Sequence, residues 1–510
     1  MAKAASDQSQ YVAYFSCKED EEGKINVFHV CNDHDSASKW CEEHPTSKKK
    51  NATSSDTQSV VMNNKEEGST ELESNQKIEN ITSSDPHSSA AVSNVVTQEQ
   101  AIESFSYHLQ NLLKSLKSFY DLIDINVIVK IAFPNMLISN DINVFRKTLP
   151  IVSEKDGYKI YGVPDNSTSQ LNYQLKRLEH TKDGLSSISA NVIMGMVARF
   201  DANVSALVRF LLTNRKERLG SSDRTIAVRD ILAAKSFDDL IADLVDDEVH
   251  SLMRGSHEDQ VRYIEQNFSI KIIEGFSRWG EFIEIFERRN LAAHGEGIVN
   301  SRYVKICQKA KSPASSTLEL GSKVVMSDTY LRNSTDLLIE FGVLLIWWLW
   351  LKHSPSDLDL AYEEINSVTY ELICEKRYKL SSNILRSALS RKSDGSQERT
   401  RRMMVVNLAN CLKKIGQEKD SKTALAMFDW SAAADEYKIC VASIQGDIDK
   451  VCSLMPKIKD TDSVGKAAIR EWPAFDWVRD DERVKERFKE IFGEPLYAVT
   501  NTPEDELQSK

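Results

Sequence analysis

The apolar run at residues 341–351 (FGVLLIWWLWL) constrains the fold more than any other part of the chain. It is about half as long as the roughly 20 residues that a helix needs to cross a bilayer. Glu340 and Lys352 flank it directly. A helix that is apolar on nearly all sides is buried among other elements. The sequence therefore predicts a core helix over 336–351, at the centre of a bundle, and no membrane span.

The helical spacing of apolar residues extends over much of the chain. From residue 101 onwards, apolar side chains recur at intervals of three and four, which is the period of one helix face. The runs at 105–123, 191–212 and 270–293 have this spacing. They predict a mainly α fold, with a bundle-like helical domain over 101–353.

The N-terminal residues follow a different pattern. Residues 11–17 (YVAYFSC) and 25–31 (INVFHVC) are rich in aromatic and β-branched side chains. Two such runs on either side of a turn that contains glycine are typical of a β-hairpin. Residues 36–43 then have the composition of a short helix. We therefore predict a small ββα element over 1–44.

Two further stretches lack helical spacing. Residues 45–100 contain no Phe, Tyr or Trp, and polar residues dominate there. Such a segment buries too little apolar surface to offset its chain entropy, which predicts a disordered linker. Residues 150–170 have the Gly and Pro content of a loop, with room for a short strand pair around 158–163.

Pairs of helices are predicted after Pro355. Stacked helix pairs of this kind form a short α-solenoid. Residues 406–412 (VNLANCL), followed by Gly416 and Ala424, resemble tetratricopeptide-like repeats. The resemblance implies a repeat domain over 354–510 that could hold a protein partner or trigger. The predicted helices are 358–374, 378–389, 401–415, 421–428, 432–444 and 446–455, and the tail at 472–495 is predicted to cover the last repeat.

Charge and cysteine content narrow the class of protein. The chain has 65 Lys and Arg against 76 Asp and Glu, so an evenly basic nucleic-acid coat is excluded while a local basic patch is not. Residues 1–10 lack the apolar core of a signal peptide. The eight scattered cysteines fit a reduced compartment better than a disulfide framework. We expect a cytoplasmic protein.

One helix, at 270–293, ends in residues that could carry chemistry. Two further steps of four along its apolar stripe fall on Asn290 and His294. A buried polar group without a partner costs about 1–3 kcal/mol, so these residues either have partners or face a cleft. Gly295 and Gly297 follow and would end the helix. The stripe itself consists of Ile272, Phe276, Trp279, Ile283 and Phe286.

The string Arg289-Asn290-x-x-x-His294 resembles the signature of HEPN ribonucleases, in which an Arg and a polar residue precede a His. Its position near the end of a long helix in a helical domain is similar too. The resemblance covers about 101–353. It implies an endoribonuclease that works without metal and leaves 2′,3′-cyclic phosphate and 5′-hydroxyl ends. It also implies a homodimer in which two such motifs meet, and a setting in toxin–antitoxin or anti-phage systems.

The chemistry is plausible for these residue types. The 2′-hydroxyl of RNA can act as the nucleophile, so no protein nucleophile, metal or cofactor is required. We expect His294 to act as general acid or base and Arg289 to hold the phosphate, with Asn290 orienting the site. Residues five apart on a straight helix lie about 140° apart. The pair therefore needs either a helix break near Ala293 or a second chain.

Basic residues around the motif predict a local phosphate-binding patch. Arg288, Arg302 and Lys305 are the candidate phosphate ligands. Arg278, Lys309 and Lys311 would extend the same patch.

Two alternatives to the nuclease remain. Arg289 and His294 could serve only as cations at the helix C-terminus, an arrangement that is worth about 0.3–1 kcal/mol. This alternative leaves the position of Asn290 on the apolar stripe unexplained. The chain could also be a non-catalytic scaffold that dimerises and binds a protein on its repeats.

Other candidate residues are weaker. Cys31, His34, Cys41 and His44 have a spacing that could hold zinc, although Cys41 could simply pack on the hairpin. His108, His250 and His257 are more typical of surface or core histidines. The chain contains no Walker loop and no G-x-S-x-G, G-x-G-x-x-G or H-E-x-x-H motif.

Overall fold

The computed structural model describes residues 11–19, 25–31, 34–43, 104–137, 142–155, 158–221, 225–294, 297–391, 397–459, 461 and 464–497. These residues form a mainly α protein with one small antiparallel sheet, as predicted. The predicted linker at 45–100 lies outside the described residues. The chain divides into two compact units. The first takes the described residues before 44 together with 122–191, and the second takes 104–121 and those from 192 onwards.

Among the residues that the structure describes, the strands all lie before residue 165. The elements up to residue 214 are β1 (Tyr11–Glu19), β2 (Ile25–Cys31), α1 (His34–Glu43), α2 (Phe105–Leu137), α3 (Asn143–Arg146), β3 (Ile151–Lys155), β4 (Tyr158–Pro164) and α4 (Asp165–Asn214). The later elements are α5 (Val228–Ala233), α6 (Phe237–Met253), α7 (His257–Phe268), α8 (Trp279–His294), α9 (Ser301–Lys309), α10 (Asp328–His353), α11 (Leu358–Cys374), α12 (Tyr378–Leu389), α13 (Glu398–Lys414), α14 (Glu418–Leu425), α15 (Asp435–Gln445), α16 (Ile448–Leu454), α17 (Lys466–Glu471) and α18 (Glu482–Phe492).

The predicted N-terminal hairpin forms, but it is not a separate element. Its first strand, β1, also pairs antiparallel with β4, and the sheet order is β2-β1-β4-β3. Phe15 lies opposite Tyr161 across that pairing. Because β4 covers the free edge of β1, the hairpin gains a third strand and loses an exposed edge. The predicted element at 1–44 is therefore joined to residues of the predicted helical domain.

Both faces of this sheet are covered by helices. Side chains alternate between the faces along each strand, so neighbouring residues contribute to different cores. The core on one face contains Phe15, Tyr161, Val163, Leu171 and Leu178. The core on the other face contains Tyr14, Tyr158, Ile160, Ala37 and Cys41.

Helix α10 occupies the core of the second unit and contains the predicted 336–351 helix. It is long and apolar enough to cross a membrane, and 89% of its most apolar window is buried inside the protein. Phe341 stacks on Phe282 of α8, with ring centres 3.9 Å apart. Trp347 is fully buried, and its Nε1 donates to the Ala361 carbonyl of α11 at 3.1 Å. The predicted boundary at 353/354 therefore does not separate two units.

The helices after residue 354 repeat one turn geometry. Helices α11, α13 and α15 end next to left-handed residues, namely Lys376 (φ 61°), Gly416 (φ 80°) and Gly446 (φ 76°). A seryl hydroxyl in the next helix then donates back twelve residues, from Ser381 to the Thr369 carbonyl and from Ser421 to the Ala409 carbonyl. The same contact recurs, which is consistent with the paired helices that the sequence predicts.

Gly280 sets how closely α8 approaches the segment after α9. A Cβ at this position would lie 2.6 Å from the Ala310 oxygen and 2.7 Å from the Ser312 nitrogen, and both are backbone atoms. Backbone cannot rotate away as a side chain can. We expect Gly280→Ala to lower the free energy of unfolding by about 1–3 kcal/mol, measured by urea denaturation.

Gly184 in α4 provides the matched control. Apart from the neighbouring backbone of its own helix, a Cβ there would have no atom within 4 Å. Gly184→Ala should raise the free energy of unfolding by about 0.4–1 kcal/mol because it restricts the unfolded chain. Equal effects of the two substitutions would contradict the close approach at Gly280.

Candidate functional site

The C-terminal half of α8 and the start of α9 enclose a cleft of about 320 Å³, which we call the α8 cleft. Positions 287, 290, 291 and 294 are three, one and three residues apart, so they share one face of α8. Arg302 lies at the beginning of α9. The cleft is lined by Glu287, Asn290, Leu291, His294, Asn300, Arg302 and Tyr303.

The turn between the two helices is fixed by hydrogen bonds. Gly297 adopts a φ of 79°, a conformation that glycine tolerates better than other residues. Its amide donates to the Leu291 carbonyl at 3.0 Å, and its carbonyl accepts from the Val324 amide at 2.8 Å. Asn300 then caps α9, because its Oδ1 accepts from the Tyr303 amide at 2.9 Å. These hydrogen bonds therefore fix the end of α8, the turn and the start of α9, which form the walls of the cleft.

Three predicted site residues meet in this cleft. Asn290 is half-buried, whereas His294 and Arg302 are exposed. The Asn290 Nδ2 lies 3.4 Å from Glu287 Oε1, to which it donates. Lys305 is exposed one turn after Arg302 on α9, outside the lining of the cleft. The cleft thus combines an imidazole, a guanidinium and an amide.

Glu287 is a candidate residue that the sequence did not reveal. It is 9% exposed, and burial raises the pKa of its carboxyl above the ordinary value. The charge of Arg302 and the hydrogen bond from Asn290 oppose that shift without cancelling it. A carboxyl group with a raised pKa, in a cleft with a histidine, is a candidate acid or base. The only signal in the sequence is its spacing of three and seven from Asn290 and His294.

Arg289 is not part of the α8 cleft. Its Nη2 lies 3.9 Å from Asp201 Oδ2 of α4, and Asp201 is also 2.8 Å from Nε2 of His257. The His257 ring stacks on Phe286, with ring centres 3.5 Å apart. Arg289 and His294 therefore leave α8 in different directions, as their spacing predicts. Within one chain the structure does not bring them together.

Arg288 lies inside the protein, contrary to its predicted role as a phosphate ligand. Its Nε donates to Glu284 Oε1 at 2.6 Å and its Nη1 to the Val325 carbonyl at 3.0 Å. Its guanidinium also covers the Tyr330 ring at 3.9 Å. The position is one helical turn after Glu284, on the side that packs against α10. Arg288 is therefore not available to a ligand in the cleft.

Two other residues of the predicted basic patch, Arg278 and Lys309, are paired with carboxylates. Arg278 is bound to Glu281 and to the buried Glu340, each at 2.8 Å. Lys309 is paired with Glu258 at 3.0 Å. Of the predicted phosphate ligands, Arg302 and Lys305 remain accessible.

The zinc prediction falls mostly outside what the structure describes. The side chains of Cys31, His34 and His44 lie outside the described residues, and Cys41 is buried in the sheet core. In the described part of the chain, no group of three or more His, Cys, Asp or Glu side chains is placed to hold a metal.

Two other candidate histidines, His108 and His250, lie outside the α8 cleft. His108 is buried and its ring lies 4.9 Å from that of Phe210, while His250 is exposed at the end of α6, next to Arg254.

Comparison of the chain with known protein families, curated proteins and solved structures gives no match.

Proposed function

We propose that the protein is a metal-independent endoribonuclease of the HEPN type, acting in the cytoplasm. The observation that supports this most is the α8 cleft, where His294, Asn290 and Arg302 lie with the buried carboxyl of Glu287. In this proposal residues 101–353 contain a HEPN-like bundle and residues 354–510 contain tetratricopeptide-like helix pairs. The growth arrest that follows RNA cleavage would suit a toxin or an anti-phage effector.

The proposed reaction uses the substrate's own nucleophile. The 2′-hydroxyl attacks the adjacent phosphorus, the bond to the 5′-oxygen breaks, and a 2′,3′-cyclic phosphate forms. His294 and Glu287 are the two groups that can exchange protons with the attacking and leaving oxygens. Arg302 places positive charge where the phosphate gains negative charge. Asn290, through its bond to Glu287, is proposed to orient that carboxyl.

Arg289 is assigned to a second copy of the chain. In a symmetric dimer, Arg289 of one chain can reach a site to which the other chain contributes His294. This arrangement explains how Arg289 and His294 can act together although they leave α8 in different directions.

The test is RNA cleavage by the full-length protein in the presence of EDTA, with the product ends mapped. We expect cleavage by the wild type, with 2′,3′-cyclic phosphate and 5′-hydroxyl ends. Ends that carry a 3′-hydroxyl and a 5′-phosphate would contradict the proposed reaction. So would a strict requirement for Mg²⁺, or equal cleavage by His294→Ala.

A mixing experiment tests the shared site. His294→Ala and Arg289→Ala chains, each inactive alone, would form mixed dimers with one intact site. At equal amounts, about a quarter of the sites should regain both groups, and activity should recover to that level. No recovery, with mixed dimers shown to form, would place both residues in the same chain's site.

Glu287 gives a prediction in which stability and activity change in opposite directions. Because its folded pKa is raised, the native state binds the proton more tightly than the unfolded state. The stability that this group contributes is complete below its ordinary pKa and is lost as pH rises through the folded pKa. Glu287→Gln should therefore raise the Tm at pH 7 and have less effect near pH 4.

The same variant should lower the rate of RNA cleavage by about 10²–10⁴-fold, because the amide cannot exchange a proton. Glu319→Gln, at an exposed carboxylate, is the control and should change neither quantity. A Glu287→Gln protein with wild-type activity would remove Glu287 from the mechanism.

A scaffold that binds a protein on the helix pairs is the second candidate function. The repeated turns after α11, α13 and α15 favour it for the C-terminal helices. If the protein is a scaffold, a His294→Ala variant should have the same effect in cells as the wild type. If it is a nuclease, that variant should lose the effect.

A further inference from the structure

A second cleft lies among the C-terminal helices, at the end of α14 and beside α15 and α16. Its volume is about 620 Å³, within the range of small-molecule sites. It combines lysines with aromatic rings, and we call it the lysine cleft. The argument uses Lys422, Lys438, Lys450, Phe428, Trp430 and Asp429 from its lining.

The charge of the lysine cleft is positive. Lys422 and Lys450 are exposed, and neither forms an ion pair with another described residue. Lys438 shares Asp435 with Lys457, at 3.6 and 3.5 Å, so that single carboxylate does not neutralise both. The cleft therefore has positive charge that a bound anion would neutralise.

One carboxylate, Asp429, lines the same cleft. Its oxygens accept from the Ser431 amide and hydroxyl at 2.9 Å. With three lysines around it, the lining keeps a positive balance.

The aromatic side chains form a fixed surface beside these lysines. Phe428 and Trp430 are half-buried and meet edge to face, with ring centres 5.9 Å apart. Trp430 Nε1 donates to the Leu425 carbonyl at 2.6 Å, which holds the ring in place. The Arg402 guanidinium lies 4.8 and 5.5 Å from the two ring centres. The rings therefore do not need to be ordered by a ligand.

A ligand that uses the whole cleft carries both a planar aromatic group and negative charge. A base stacked on an aromatic side chain gains about 1–3 kcal/mol. Phosphate oxygens are strong acceptors for the lysine ammonium groups. An acidic peptide without aromatic residues would use the lysines but would not stack on Phe428 or Trp430.

We propose that the lysine cleft binds a nucleotide, with its phosphates on Lys422 and Lys450 and its base against Phe428 and Trp430. The proposal does not depend on the nuclease reaction, which uses none of these residues. It assigns the C-terminal helices a small-molecule ligand of their own.

The test is isothermal titration calorimetry of the full-length protein with ATP, GTP, CTP and UTP. The nucleoside of each nucleotide and tripolyphosphate, each titrated alone, separate the base from the phosphates. We expect at least one nucleotide to bind more tightly than either fragment by tenfold or more. No heat of binding with all four nucleotides would overturn the proposal, and equal binding of tripolyphosphate would overturn the role of the base.

Substitutions locate the binding. Lys422→Gln and Lys450→Gln should each weaken nucleotide binding about tenfold, which is 1.4 kcal/mol. Lys419→Gln, at an exposed position of α14 that does not line the cleft, is the matched control and should bind as the wild type does. Phe428→Leu should weaken nucleotide binding but not tripolyphosphate binding. Equal losses in Lys419→Gln and Lys422→Gln would show unspecific charge attraction and overturn the site.

Discussion

Replacing His294 with alanine should lower the rate of RNA cleavage by about 10²–10⁴-fold, which is the range for loss of a general acid or base. The side chain is exposed in the last turn of α8 and lines the α8 cleft. Removing it leaves no cavity in the core. The far-UV circular dichroism and the oligomeric state should therefore remain those of the wild type, while single-turnover cleavage falls.

The alternative role of His294, as a cation at the helix C-terminus, predicts a different result. A cation there contributes about 0.3–1 kcal/mol to stability, and its loss would lower the Tm slightly and leave cleavage intact. His250 is the matched control, because it is exposed in the last turn of α6 and does not line the cleft. His250→Ala should show the same small change in Tm and wild-type cleavage.

A second substitution adds a check on His294. His294→Gln keeps a polar side chain but cannot exchange a proton, and its rate of RNA cleavage should fall as far as that of His294→Ala. A His294→Ala protein that cleaves at the wild-type rate would remove the residue from the reaction.

Some features of the fold could be predicted from the sequence because local patterns determine them. The apolar run at 341–351 predicts a core helix because it is apolar on nearly all sides, and α10 contains it with residues 341–350 buried. Asn290 and His294 share the cleft because their spacing of four places them on one face of any straight helix. The pairing of β1 with β4 could not be predicted, because it joins residues that lie far apart in the chain.

The candidate site was only partly predictable because neighbouring helix residues point in different directions. Successive residues are about 100° apart around the axis, so Arg288 and Arg289 face different surroundings. Arg288 turns inward because Glu284 and Tyr330 are placed to receive it, and Tyr330 comes from α10. Glu287 was missed because a charged residue that two arginines follow in the chain ordinarily indicates a solvent-facing position. Its neighbours in the fold, rather than its neighbours in the chain, make it buried.

Glu284→Ala is expected to cause the largest loss of stability, about 3–5 kcal/mol, because it leaves the buried Arg288 without its counter-charge. The Glu284 carboxylate accepts from Arg288 Nε at 2.6 Å, from the Tyr303 hydroxyl at 2.6 Å and from the Tyr330 hydroxyl at 2.7 Å. The substitution therefore removes three hydrogen bonds in addition to the charge. Urea denaturation, followed by tryptophan fluorescence, measures the change.

Glu281 provides the control on the same helix. Its side chain is 44% exposed where it pairs with Arg278, so Glu281→Ala should cost less than about 1 kcal/mol. If Glu284→Ala unfolded at the same urea concentration as Glu281→Ala, the buried pair would not be what anchors α8 to α9 and α10.

A double variant separates the stranded charge from the lost hydrogen bonds. Glu284→Leu combined with Arg288→Met removes both charges and keeps side chains of similar length, and replacing a whole buried pair in this way is often close to neutral. The double variant should therefore be more stable than Glu284→Ala, although the Tyr303 and Tyr330 hydroxyls still lose their acceptor. Tyr303 also lines the α8 cleft. RNA cleavage by the double variant should therefore fall even if the stability of the variant recovers. If the double variant were the less stable of the two, the stranded charge of Arg288 would not account for the stability lost in Glu284→Ala.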